Sequence, residues 1–157
     1  MKEPVFRTGR WIIAFYDEGP RNWWDYFTRP GFRHCLAIRY LEDIDAWVTV
    51  DSSNHGLFVE FVPKRFIDAI IVAVNDRGGR FVEIDARAQG RRLWPPLFLY
   101  CVSAMKELVG IRDWRVITPW QLYCALMKMG GKRMFDLSNF KENADGQSIF
   151  KTQEATT

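Results

Sequence analysis

Three apolar runs follow one another across connections too short to hold a crossover helix: Phe32 to Tyr40, Trp47 to Asp51 and Leu57 to Val62. A parallel strand pair needs about a dozen connecting residues or more, so these runs predict antiparallel neighbours. Two further runs read as strands. Trp11-Ile12-Ile13-Ala14-Phe15-Tyr16 is continuously apolar and predicts a buried strand, and Arg80-Phe81-Val82-Glu83-Ile84-Asp85 predicts another. Between them the period changes. Phe66, Ile67, Ile70, Ile71 and Val74 follow helical spacing after Pro63, and Gly78-Gly79 supplies a stop. The β-branched run from Ile70 to Val74 is the competing strand signal, outweighed here by spacing and capping.

Two more helices follow. Leu99 to Ile111 comes after the Pro95-Pro96 break, with Cys101 near its start and Gly110 where a helix would stop. Thr118 to Gly131 has Thr118 as N-cap, Pro119 as first helical residue and Gly130 as terminator. Trp114-Arg115-Val116-Ile117, between them, reads as a short extended piece. The expectation is an α+β fold, an antiparallel sheet packed against the Cys101 helix and one or two others. At 157 residues the chain suits one domain. That domain is expected over 1–131, and 132–157 is expected to be a polar tail, disordered alone or ordered by a partner, with Phe135, Phe140 and Phe150 as its anchors. Cys124, among Leu122, Ala125 and Leu126, reads as core.

Charge narrows the partners. With 22 basic and 19 acidic residues the net charge is only +3, too balanced to argue for nucleic acid. Arg87, Arg91 and Arg92 read as a solvated loop or as phosphate contacts, with no nucleic-acid motif beside them. Trp23, Trp24, Trp94 and Trp120 exceed what a monomer core need absorb, and aromatics enrich interfaces. Trp23 and Trp24 also fit a stacking platform or core anchors. Oligomeric state stays open. Three cysteines, an odd number without paired spacing, fit a reduced compartment better than a disulfide framework. No apolar run resembles a signal peptide or approaches the ~18–20 residues of a membrane span. The expectation is synthesis in the cytoplasm without a signal peptide, with incorporation into a virion left open.

The chemistry gathers on three residues. A cysteine at a helix start sits among unpaired backbone N–H groups that favour a thiolate; the alternative is a buried structural cysteine. Alternation puts His34 on the face of Leu36 and Ile38, toward the core, with Cys35, Ala37 and Arg39 opposite. It serves there as a satisfied core histidine or as a general base held against a helix end. Asp51 ends the neighbouring strand, as a turn residue or as the group that orients the histidine. Together they are the ingredients of acyl transfer: nucleophile Cys101, base His34 and orienting Asp51, with the Cys101 N–H contributing to an oxyanion hole. A metal site from His34, Cys35, His55 and Cys101 is disfavoured, because adjacent strand residues point apart and no paired ligand spacing exists. No cofactor is expected.

The order of these parts is informative. Gly31-Phe32-Arg33-His34 comes first, then Trp47-Val48-Thr49-Val50-Asp51. Cys101-Val102-Ser103-Ala104-Met105-Lys106 comes late, with Gly110-Ile111 and Thr118-Pro119-Trp120-Gln121-Leu122-Tyr123 after it. Over residues 11 to 130 this resembles the circularly permuted papain-like group, related to the NlpC/P60 superfamily and to the lecithin retinol acyltransferase-like proteins. It is most similar to small phage and prophage proteins of that group. The chain departs from their pattern at Tyr100, where many have Asn or Asp, and at Cys35, where many have a small residue. The resemblance implies a phage-encoded cysteine hydrolase or amidase using Cys101, His34 and Asp51 on cell-wall peptide or another amide. The alternative is a catalytically silent virion protein, a tail or connector component, on the same fold.

Overall fold

The computed structural model describes residues 9–18, 28–53, 56–86 and 100–134. Trp23, Trp24, His55, Arg87, Arg91, Arg92, Trp94, Phe135, Phe140 and Phe150 lie outside the described residues. The elements run β1 (Gly9–Tyr16), β2 (His34–Leu41), β3 (Ala46–Ser53), β4 (Gly56–Pro63), α1 (Ile67–Asp76), β5 (Arg80–Ala86), α2 (Cys101–Val109), α3 (Pro119–Lys128) and β6 (Lys132–Met134). The strands form one six-stranded sheet in the order β4-β3-β2-β1-β5-β6, antiparallel at every pairing.

β1 is continuously apolar because both faces of the sheet are covered. Trp11, Ile13 and Phe15 point to one side and pack with Cys35, Ala37 and Val82 against Val102, Met105 and Val109 of α2 and Leu122 and Leu126 of α3. Ile12, Ala14 and Tyr16 point to the other, where Leu36, Ile38 and Phe81 meet Ile67, Ile71 and Val74 of α1. The period-two alternation of a strand thus splits one run between two cores. In α1 the buried residues recur at helical spacing while Val72 is exposed, so the β-branched run is a helix decided by its buried stripe.

α2 ends as its sequence predicts. Gly110 adopts φ +89°, and its N–H donates to the Lys106 carbonyl at 2.9 Å. Thr118 caps α3, its Oγ1 accepting from the Gln121 N–H at 3.2 Å while the Gln121 side chain accepts from the Thr118 N–H at 3.0 Å. Aromatic rings tie α3 to the entry of β2. Phe32 packs edge-on against Trp120 and Tyr123, with centroids at 4.9 Å and 5.1 Å, so Trp120 belongs to the packing of this chain.

Three expectations are corrected. Residues 114–117 are not extended: Trp114 and Arg115 form a turn, with the Val116 N–H donating to the Asp113 carbonyl at 3.3 Å. The Asp113 carboxylate accepts from the Arg115 N–H at 3.0 Å. Buried Lys106 donates to the carbonyls of Asp113, 2.7 Å, and Val116, 3.0 Å, which holds the turn against α2. Cys124 is partly exposed, because the buried stripe of α3 runs through Leu122 and Leu126. Lys132–Met134 is not tail but the outer strand β6, with Met134 opposite Phe81. No helix among the described residues is long and apolar enough to cross a membrane.

Candidate active site

The site forms where β2 begins. His34 is the first residue of β2 and lies opposite Tyr16, the last residue of β1. The entry is pinned: the Gly31 N–H donates to Asp17 Oδ1 at 2.7 Å, and the Arg33 N–H donates to the Tyr16 carbonyl at 3.2 Å. The Tyr16 ring stands edge-on to the imidazole, with centroids at 5.3 Å. Asp51 sits within β3 directly opposite Leu36. His34, two residues before Leu36, shares its face and is the diagonal neighbour of Asp51. The Asp51 carboxylate meets His34 Nε2 at 2.7 Å, so it serves the imidazole rather than closing a turn. Glu18, beyond the end of β1, places Oε2 3.5 Å from His34 Nδ1.

Cys101 approaches from the other side of the sheet. α2 packs on the Cys35 and Ala37 face, whereas Leu36 and Ile38 face α1. Cys101, the first residue of α2, packs against the core that holds Cys35, and Cys35 and His34 at the start of β2 are the groups that favour its thiolate. Asp51 thus holds Nε2, and Nδ1 faces the Glu18 carboxylate. The first hydrogen bond of α2 runs from the Ala104 N–H to the Tyr100 carbonyl at 3.1 Å, so the Cys101 N–H precedes the helix's own bonding and carries its positive end.

These contacts separate the charges. The hydrogen bond from the Cys35 thiol is the strongest pull on Cys101. Burial opposes it, and the His34 hydrogen bond and charge add to it, bringing the thiol from 9.0 down to about 5. For His34, burial favours the neutral ring, but hydrogen bonds to Asp51 and Cys101 and their negative charges prevail, raising it from 6.5 to about 10. At neutral pH the pair is a thiolate beside an imidazolium, and its two titrations belong to the pair. Burial, with the neighbouring thiolate, pushes the Cys35 thiol well up, so Cys35 stays protonated and acts as donor. Burial and the charges of Glu18 and Asp51 push the Tyr16 phenol up.

The structure brings together the three residues expected from sequence, Cys101, His34 and Asp51. It adds Cys35, Tyr16 and Glu18. Alternation had already placed Cys35 opposite His34; which face carries the Cys101 helix was not readable. Tyr16 and Glu18 follow from strand register alone, which no local pattern encodes. His55, the fourth member of the metal reading, is outside the described residues. Among the described residues no group of three or more His, Cys, Asp or Glu side chains is arranged to hold a metal ion. No family model, curated protein or solved structure matches this chain.

Proposed function

We propose that this protein is a cysteine hydrolase acting on an amide or ester carbonyl, with Cys101 as nucleophile, His34 as acid and base and Asp51 as the group that orients the ring. One observation carries the reading: an imidazole held by a carboxylate at 2.7 Å lowers the thiol of a cysteine that opens a helix. The thiolate attacks the carbonyl carbon, and the developing oxyanion is met by the Cys101 N–H at the positive end of α2. The His34 imidazolium then protonates the leaving amine or alkoxide. The neutral imidazole next takes a proton from water or another acceptor, which attacks the acyl-enzyme and frees Cys101. The histidine strand precedes the cysteine helix, the order of the permuted papain-like hydrolases, and we assign the fold to that type. Within that assignment the substrate is a cell-wall peptide or another amide, and the protein is phage-encoded.

A second reading, a silent virion component on the same fold, has one observation in its favour. β4 is an edge strand, and Leu57, Phe58, Val59 and Phe61 on it are all at least 47% exposed, an apolar edge that suits a partner strand.

The deciding experiment is the pH dependence of alkylation at Cys101, located by peptide mass spectrometry, in wild type and His34→Ala. The hydrolase reading expects rapid alkylation below neutral pH, with an inflection near 5, and a return toward ordinary thiol behaviour in His34→Ala. A Cys101 that is inert or indifferent to His34, in an oligomer of fixed stoichiometry, turns the conclusion to the assembly reading.

A further inference from the structure

The sheet is guarded at one edge and bare at the other. Among the described residues its order ends on β4 and on β6. β6 is three residues long and carries Lys132 and Arg133, the short, charged form that keeps an edge from pairing. β4 is eight residues long, and Glu60 is its one charge. Cross-strand pairing sets what β4 shows on each face. Leu57, Val59 and Phe61 lie opposite Ser52, Val50 and Val48, on the face that α2 and α3 cover. That cover stops at β3. Val48 and Val50 are buried, whereas Leu57, Val59 and Phe61 are 49%, 53% and 61% exposed. Three apolar side chains in a row thus line a strand whose alternate residues aim N–H and C=O outward.

We propose that this edge pairs with the same edge of a second copy, β4 against β4 in an antiparallel register centred on Val59, giving a two-fold dimer with one continuous sheet. The sequence of β4 selects both this occupant and this register. A two-fold axis normal to the sheet keeps the α2 faces of both copies on one side, so only residues from the same face of β4 meet. Centring on Glu60 sets two carboxylates opposite each other, and like charges so placed destabilise a pair. Centring on Phe58 leaves Phe61 unmatched within the strand, and centring on Phe61 leaves Leu57 unmatched. Centring on Val59 matches all three: Leu57 meets Phe61 at both ends, Val59 meets itself, and Phe58 covers Glu60 on the other face. The area also fits. With Phe58 47% exposed, the four apolar side chains leave roughly 400 Å² in water, a patch of the size that marks an interaction site. Taken from both copies, with the paired backbone added, the burial comes to about 1,200 Å², the lower end of specific interfaces. A dimer of that size dissociates on dilution. The pairing needs neither an active Cys101 nor a virion, so it stands apart from both readings above.

The test follows full-length protein, kept in reductant, by light scattering coupled to gel filtration from micromolar to submillimolar concentration. Wild type should rise from the mass of one chain, 18.5 kDa, to twice that mass and no further. Val59→Lys puts two ammonium groups at the axis and should stay monomeric over the same range, with its far-UV circular dichroism unchanged. Register is read by cysteine substitution under mild oxidation, with the linked peptides mapped. Val59→Cys sets the two introduced sulfurs on directly opposite residues, about 4.5–5.5 Å between Cα atoms, and should link the dimer through that position. Leu57→Cys sets them four residues apart along the ladder, about 13 Å, and should not link. The cross-link is read in chains that keep the rest of the apolar edge, so a misfolded Val59→Lys leaves the test intact. A wild type that is monomeric throughout overturns the proposal and leaves the edge to a strand of another protein. A wild type that grows without limit also overturns it, as does a dimer that Val59→Lys leaves unchanged or that links through Leu57→Cys instead. Alkylation of Cys101 decides the hydrolase reading whichever of these is found.

Discussion

Removing the Cys101 sulfur should change how the stability of this protein depends on pH, in a window set by the pair. Unfolded, Cys101 releases its proton near 9.0 and His34 near 6.5; folded, the thiol does so near 5 and the imidazolium near 10. Between pH 5 and 6.5 the unfolded chain holds one proton more than the folded chain, so stability rises with pH. From 6.5 to 9.0 each state holds one of the pair's two protons and the contribution is flat. From 9.0 to 10 the folded chain holds the extra proton and stability falls. At about 1.4 kcal/mol per pH unit, the acid arm amounts to about 2 kcal/mol and the alkaline arm to about 1.4 kcal/mol. Other titrating groups contribute too, so the quantity to measure is wild type minus Cys101→Ala. In that variant Asp51 still favours the protonated ring, and the acid arm disappears. Urea unfolding by tryptophan fluorescence, in reductant and at steps from pH 5 to 7, gives both curves. The difference should climb by about 2 kcal/mol between pH 5 and 6.5 and go on climbing to pH 7, because above 6.5 wild type is flat while the variant, whose folded ring holds the extra proton, loses stability. A flat difference across that window would refute the thiolate–imidazolium pair.

Two further substitutions test neighbouring parts of the argument. Asp51→Asn removes the anion from a 2.7 Å contact with the imidazole. A charge-assisted bond is worth about 1.5–3 kcal/mol, so the His34 imidazolium should titrate about one to two pH units lower, followed by NMR of the ring, and an unmoved titration would sever Asp51 from the ring. Lys106→Met keeps the buried stem but removes the ammonium bound to the Asp113 and Val116 carbonyls. It should lower stability by about 2–4 kcal/mol, read as a lower urea midpoint at unchanged slope, and an unchanged midpoint would mean the turn needs no tether.

The elements were legible because each rests on local chemistry. β1 declared itself as an unbroken apolar run and α3 through Thr118, Pro119 and its terminal glycines. α2 was marked by Gly110, which alone suits a φ of +89° at the helix end. The errors were also local. Residues 114–117 alternate well enough to read as extended, but a lysine on another element and the Asp113 carboxylate bend them into a turn. Lys132–Met134 is polar and looks like tail, yet β5 offers an open edge with which it pairs.

Local sequence marked which residues could do chemistry: a cysteine opening a helix, a histidine facing inward from a strand and a carboxylate on the next strand. Helix ends and strand alternation are properties of the backbone within a few residues, so they are written locally. Tertiary packing set α2 on the Cys35 face, so that Cys35 and His34 favour the Cys101 thiolate, and brought Tyr16 and Glu18 around the imidazole. The face a helix covers and the register of paired strands depend on packing between segments far apart in the chain. No short window of sequence contains that information.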